Sequence, residues 1–96
     1  MKRVVLEEGT ALIDNEFGED VTIVMDFRTA VLHCVFRKNV ILEGTERVAK
    51  AKGTEAEWMG FPVFMQNVVH GNIEVKKTFK GVIRNNIVSP KTEGGD

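Results

Sequence analysis

The chain has 96 residues, 43% of them apolar and 28% charged, a net charge of −1 and a single cysteine. That is one domain with one modest core, and no apolar run approaches the ~20 residues a membrane-spanning helix needs. Cys34 alone allows no internal disulfide, which suits a reducing, cytoplasmic setting; the start MKRVVLEEGT meets Glu7 and Glu8 before any apolar h-region, so no secretory signal is expected.

Charge is unevenly spread. Residues 1–26 carry two bases and seven acids, and residues 76–91 carry five bases and no acid. Such blocks arise from a polar binding surface, from complementary strands pairing, or from plain solvated faces.

In chain order, Arg3 to Glu7 reads as a short strand turned at Glu8-Gly9, with Thr10 to Asp14 as its hairpin partner. DNEFGED, residues 14–20, reads as a loop whose Phe17 folds back on the core. Val21 to Phe27 alternates strongly, with Val21, Ile23, Met25 and Phe27 on one face. Ala30 to Arg37 follows as a single strand, and Lys38-Asn39 offers a tight turn before Val40-Ile41-Leu42. The similarity of Phe36-Arg37…Val40-Ile41 to Phe79-Lys80…Val82-Ile83 is too slight to mark an internal repeat. Thr45 is an N-cap candidate for a short helix, with Glu46 in its first turn, lysines in its last and Gly53 beyond. Thr54 to Glu57 forms a capping-box pattern that could carry the helical segment on to about residue 59.

The stretch from Phe61 to Val88 carries the clearest strand pattern. Gly71-Asn72 suits a type II′ turn, so two or three antiparallel strands are expected around it. Lys76, Thr78 and Lys80 share the wet face of the strand that follows, with Arg84 on its neighbour. Residues 89–96, SPKTEGGD, read as a flexible polar tail.

Chemistry-bearing patterns are sparse. No phosphate-binding loop, dinucleotide fingerprint or zinc ligand set is present, and no cofactor is expected. One enzymatic arrangement is conceivable, with Cys34 activated by His70 and Asp26 orienting the imidazole. The plain alternative, a small buried cysteine, fits better, so the chain is expected not to be an enzyme. The basic strand 76–84 could follow a phosphate backbone, which makes single-stranded nucleic acid or another polyanion the alternative partner. The densest group of large apolar side chains, Trp58 to Met65, suits either core or a protein interface.

The expectation is therefore a mainly β domain over residues 1–88, a small antiparallel barrel or sandwich with a short helical segment near 45–59. One sheet with one packed helix, an α+β arrangement, is the alternative. Its expected role is that of a non-enzymatic protein-binding module that self-associates, a homo-oligomer. Trp58, Met59, Phe61 and Phe64 would be the apolar anchors, and Lys76, Lys80 and Arg84 would steer an acidic partner.

Overall fold

The computed structural model describes residues 1–52 and 60–90. Its strands are short, two to five residues each, and every pairing among them is parallel. The chain winds as a β-solenoid of about four turns, or rungs, and each rung contributes one strand to each of three parallel sheets. The first sheet is β1 (Lys2–Leu6), β4 (Val21–Met25), β7 (Val40–Gly44) and β10 (Ile73–Val75). The second stacks β2 (Ala11–Ile13), β5 (Ala30–Leu32), β8 (Val63–Met65) and β11 (Val82–Arg84). The third stacks β3 (Glu16–Phe17), β6 (Val35–Phe36), β9 (Val68–Val69) and β12 (Ile87–Val88).

This architecture overturns the expected antiparallel barrel or sandwich, and the α+β alternative with it. Alternating apolar and polar residues specify a half-buried strand without specifying its partner. Here the partner is the same segment one rung away. Gly71-Asn72 is not a hairpin turn but the corner between β9 and β10, which belong to different sheets. Gly71 is absent from the positive-φ residues, so no type II′ geometry forms. The Ala30–Arg37 strand breaks at His33-Cys34 into β5 and β6, and residues 14–20 contain β3.

A repeat does run through the chain, contrary to the expectation of none. Lys2 pairs with Val21 and Val21 with Val40, a step of 19 residues; Val40 then pairs with Ile73, 33 residues on. The extra 14 residues lie between β7 and β8, where the helix α1 (Glu46–Lys50) grows out of the third rung. Thr45 caps it as expected, its hydroxyl accepting from the Val48 N–H. Val48 and Ala51 pack with Phe27 and Phe61 in a small second core. Arg47 ties this helix to the first two rungs. It pairs with Glu8 at 2.8 Å and Asp26 at 3.4 Å and lies over the Phe27 ring, and Glu8 above all holds the guanidinium protonated. Gly53, the Thr54–Glu57 pattern and residues 91–96 of the polar tail lie outside the described residues.

Inside the coil, equivalent positions stack. Val21, Ile23, Met25, Val40 and Leu42 are fully buried along the first sheet, and Phe17, Phe36 and Val69 are buried along the third. Phe17 folds onto the core as expected, its ring parallel to that of Phe36 at 5.1 Å, with Phe64 beyond at 5.6 Å. Stacked rings at these separations add to the stabilisation from burial alone.

The corner between the second and third sheets shows how backbone and side chain act together. Asp14, His33, Gln66 and Asn85 occupy equivalent places and all have φ near +55°. A non-glycine residue there costs roughly 1 kcal/mol, and the next residue offsets that cost with hydrogen bonds. Asn67, which is buried, accepts from the Cys34 N–H at 2.9 Å and donates to Val31 O at 3.0 Å. Asn86 repeats the pattern one rung on: its Oδ1 accepts from the Asn67 N–H at 2.8 Å and its Nδ2 donates to Phe64 O at 3.2 Å. Cys34 stands in the same column, and its thiol lies within reach of two carbonyls, Leu32 O at 3.3 Å and Leu12 O, the equivalent acceptor, at 3.5 Å. A second column runs down another corner, where Asp20 Oδ1 accepts from the Asn39 N–H and Asn39 Oδ1 from the Asn72 N–H.

The ladder makes a prediction for Cys34. Asparagine at this position regenerates the bond to Leu12 O and supplies an acceptor for the Asn15 N–H, so Cys34→Asn melts at or above the parent temperature. Cys34→Val leaves Leu12 O short of a donor and costs about 1 kcal/mol. Thermal melts of both decide it; an unfolded Cys34→Asn beside an unperturbed Cys34→Val contradicts the ladder role.

Candidate functional site

A solenoid has two places where its sheets stop, and no described residue pairs with either edge strand set here. β1, β2 and β3 form one edge of the three sheets and β10, β11 and β12 the other. An edge strand presents unpaired backbone groups to any strand that can reach it, and coils of this kind commonly end in atypical capping repeats. At the far end the fourth rung keeps the inward pattern of the rungs before it with nothing described laid over it. Leu42, Phe64 and Val69 have no exposed surface, whereas their register partners Val75, Ile83 and Val88 are 47%, 38% and 43% exposed. At the near end Val4 and Leu12 are only half-buried.

The two ends differ in charge. The first rung, residues 2–20, carries two bases and six acids, a net −4. The fourth, residues 73–90, carries Lys76, Lys77, Lys80 and Arg84 against Glu74 alone, a net +3. The uneven charge seen in the sequence is thus a polarity along the coil axis.

The sequence-derived site residues scatter over this frame. Phe64 is fully buried and packs on Phe36; its ring belongs to the core, which corrects the expectation of a surface anchor. Phe61 is half-buried against the helix cluster. Trp58 and Met59 lie outside the described residues. Lys76, Lys80 and Arg84 do not share one strand. Lys76 follows β10 and pairs with Glu74 at 2.7 Å, which holds its ammonium protonated above the ordinary range. Lys80 sits at the next corner with its Nζ donating to Ala51 O at 2.9 Å, and Arg84 is exposed on β11. The chain turns a corner between Lys76 and Arg84, so the supposed wet face of a single basic strand is instead the rim of the fourth rung.

Cys34, His70 and Asp26 occupy three different corners. Cys34 follows β5, His70 follows β9 and Asp26 follows β4. Asp26 is engaged with Arg47 and the Phe27 N–H. The Cys34 thiol is fully buried, and burial above all pushes its pKa up, so its environment opposes the thiolate that nucleophilic chemistry needs. A groove of about 380 Å³ runs beside the Asp20–Asn39–Asn72 column, with Arg37, Lys38 and His70 on its wall. Among the described residues no cluster of three or more His, Cys, Asp or Glu could hold a metal, and no helix is long and apolar enough to cross a membrane.

Neither the open ends nor their opposite charge was read from the sequence. The signal was present as columns: Leu12, Val31, Phe64 and Ile83; Phe17, Phe36, Val69 and Val88; Asp20, Asn39 and Asn72. Comparisons with protein-family models, curated proteins and solved structures find no match to this chain.

Proposed function

We propose that this chain is a non-enzymatic protein-binding module that associates with copies of itself through the open ends of its coil. The observation that carries the reading is the fourth rung, which no other described residue covers, and whose inward-facing Val75, Ile83 and Val88 are exposed where their equivalents one rung earlier are sealed. Covering apolar surface stabilises by about 25 cal/mol per Å², and a strand laid on each open edge also satisfies its backbone groups. The corner of the fourth rung, held by the Asn67 and Asn86 side chains, reduces the ordering that pairing at that end requires.

Light scattering behind a sizing column tests this over a range of concentrations. The proposal expects a mass above 10.7 kDa that rises with concentration; a constant monomer mass ends it. Trp58→Ala belongs in the same experiment. Association that survives this change supports the coil ends, and association lost with the fold intact moves the interface to the insertion between β7 and β8.

A further inference from the structure

We propose that copies stack head to tail, with the first rung of one copy laid on the fourth rung of the next so that the three sheets run on across the junction. This rests on the self-association reading and gives it a polarity and a register. Extending the internal pairing by one step places Lys2 over Ile73, Ala11 over Val82 and Glu16 over Ile87.

In that register the interior columns continue. Val4 covers Val75, Leu12 covers Ile83 and Phe17 covers Val88, the three inward positions the fourth rung leaves open. Outside the core, Arg3 falls over Glu74. The asparagine column continues as well. The Cys34 and Asn67 N–H groups each donate to the side chain one rung on, and Asn86 is the next donor in that column. Asn15 of the following copy supplies the matching Oδ1. Its Nδ2 now donates locally to Ile13 O and is exposed, so it can turn to Ile83 O, the place its equivalents occupy. Backbone donors agree. Ala30, Val35 and Arg37 donate to Thr10, Asn15 and Phe17 of the rung before them, and their first-rung equivalents Ala11, Glu16 and Gly18 face the open edge. They meet Gly81, Asn86 and Val88 carbonyls across the junction.

Charge selects the polarity. Head to tail sets a rung of net −4 against one of net +3, whereas head-to-head contact confronts six acids with six and tail-to-tail contact confronts four bases with four. Like-charge juxtaposition of this kind suppresses the wrong pairing. A head-to-tail contact along the coil axis leaves a free head and a free tail, so growth is open-ended.

Two altered chains separate polarity from association itself. Val5→Lys with Ile13→Lys alters the head: Val5 and Ile13 are exposed and would lie over Lys76 and Arg84. Arg84→Glu with Ile87→Glu alters the tail: both residues are exposed and would lie over Ile13 and Glu16. Their exposure leaves the fold intact, which a melt verifies; Ile13→Lys or Ile87→Glu alone replaces a pair that fails to fold. The expected result is that each altered chain is monomeric by itself and that an equal mixture forms dimers, weakened on going from about 50 mM to about 500 mM salt. Dimers of the head-altered chain alone mean tail-to-tail contact, and dimers of the tail-altered chain alone mean head-to-head contact; either overturns the polarity while leaving self-association standing. A parent chain that stays monomeric removes both readings.

Discussion

The Asn67→Ala chain melts on the order of 15 °C below the parent, a loss of about 3 kcal/mol. Asn67 is almost wholly buried, and its amide serves three backbone or side-chain partners: the Cys34 N–H, Val31 O and Asn86 Oδ1. Truncation leaves the buried Cys34 N–H without its acceptor and the Val31 carbonyl without this donor. It also removes the bonds that offset the positive φ of Gln66. Asn15→Ala is the control at concentrations where the chain is monomeric, because Asn15 is exposed and its side chain donates locally to Ile13 O; it stays within about 0.5 kcal/mol of the parent. If Asn67→Ala melts as the parent does, the corner is held by the sheets alone and the column is incidental.

Gly44→Ala destabilises by about 3 kcal/mol, at the upper end of overpacking costs. A methyl group there would lie 2.2 Å from Thr78 O and 2.9 Å from Thr78 C, backbone atoms of the fourth rung that cannot swing aside. The Gly44 N–H also donates to the Thr78 hydroxyl, so moving the strands apart breaks a second contact. Because solenoid rungs contact mainly their neighbours, the damage falls first on the fourth rung. Protease sites over 73–88 open at temperatures where the first three rungs still hold. Gly18→Ala is neutral by comparison, since nothing lies within 4 Å of its added carbon and its φ is ordinary. Equal melts for the two alanine chains would contradict the packing of the third rung on the fourth.

What the sequence made legible was local. The strand character of Val21–Met25, the capping of the short helix by Thr45 and the return of Phe17 to the core follow from patterns spanning a few residues, and the structure bears them out. Partner choice did not follow. Val21, Ile23 and Met25 alternate the same way whether the neighbouring strand is parallel or antiparallel. The left-handed residue at His33 resets the alternation, so Val31, Cys34 and Phe36 all face inward although Val31 is out of phase with the other two. The 19-residue step shows in the first two rungs, but the insertion after Gly44 stretches the third to 33 and breaks the period where a third copy would have exposed it. Cys34 hides the asparagine column further, because a thiol stands where Asn15, Asn67 and Asn86 carry amides. The basic residues at 76–84 were visible, but only the coil turns them into one rim facing an acidic rim at the opposite end.

Amide hydrogen exchange at low and high protein concentration tests the end-to-end account most directly. Stacking predicts that the Ala11, Glu16, Gly18, Asn85 and Asn86 amides slow as concentration rises, while Cys34 and Asn67, already bonded within the coil, do not change. Exchange at both edges that is independent of concentration, or protection that appears only on α1, would contradict it.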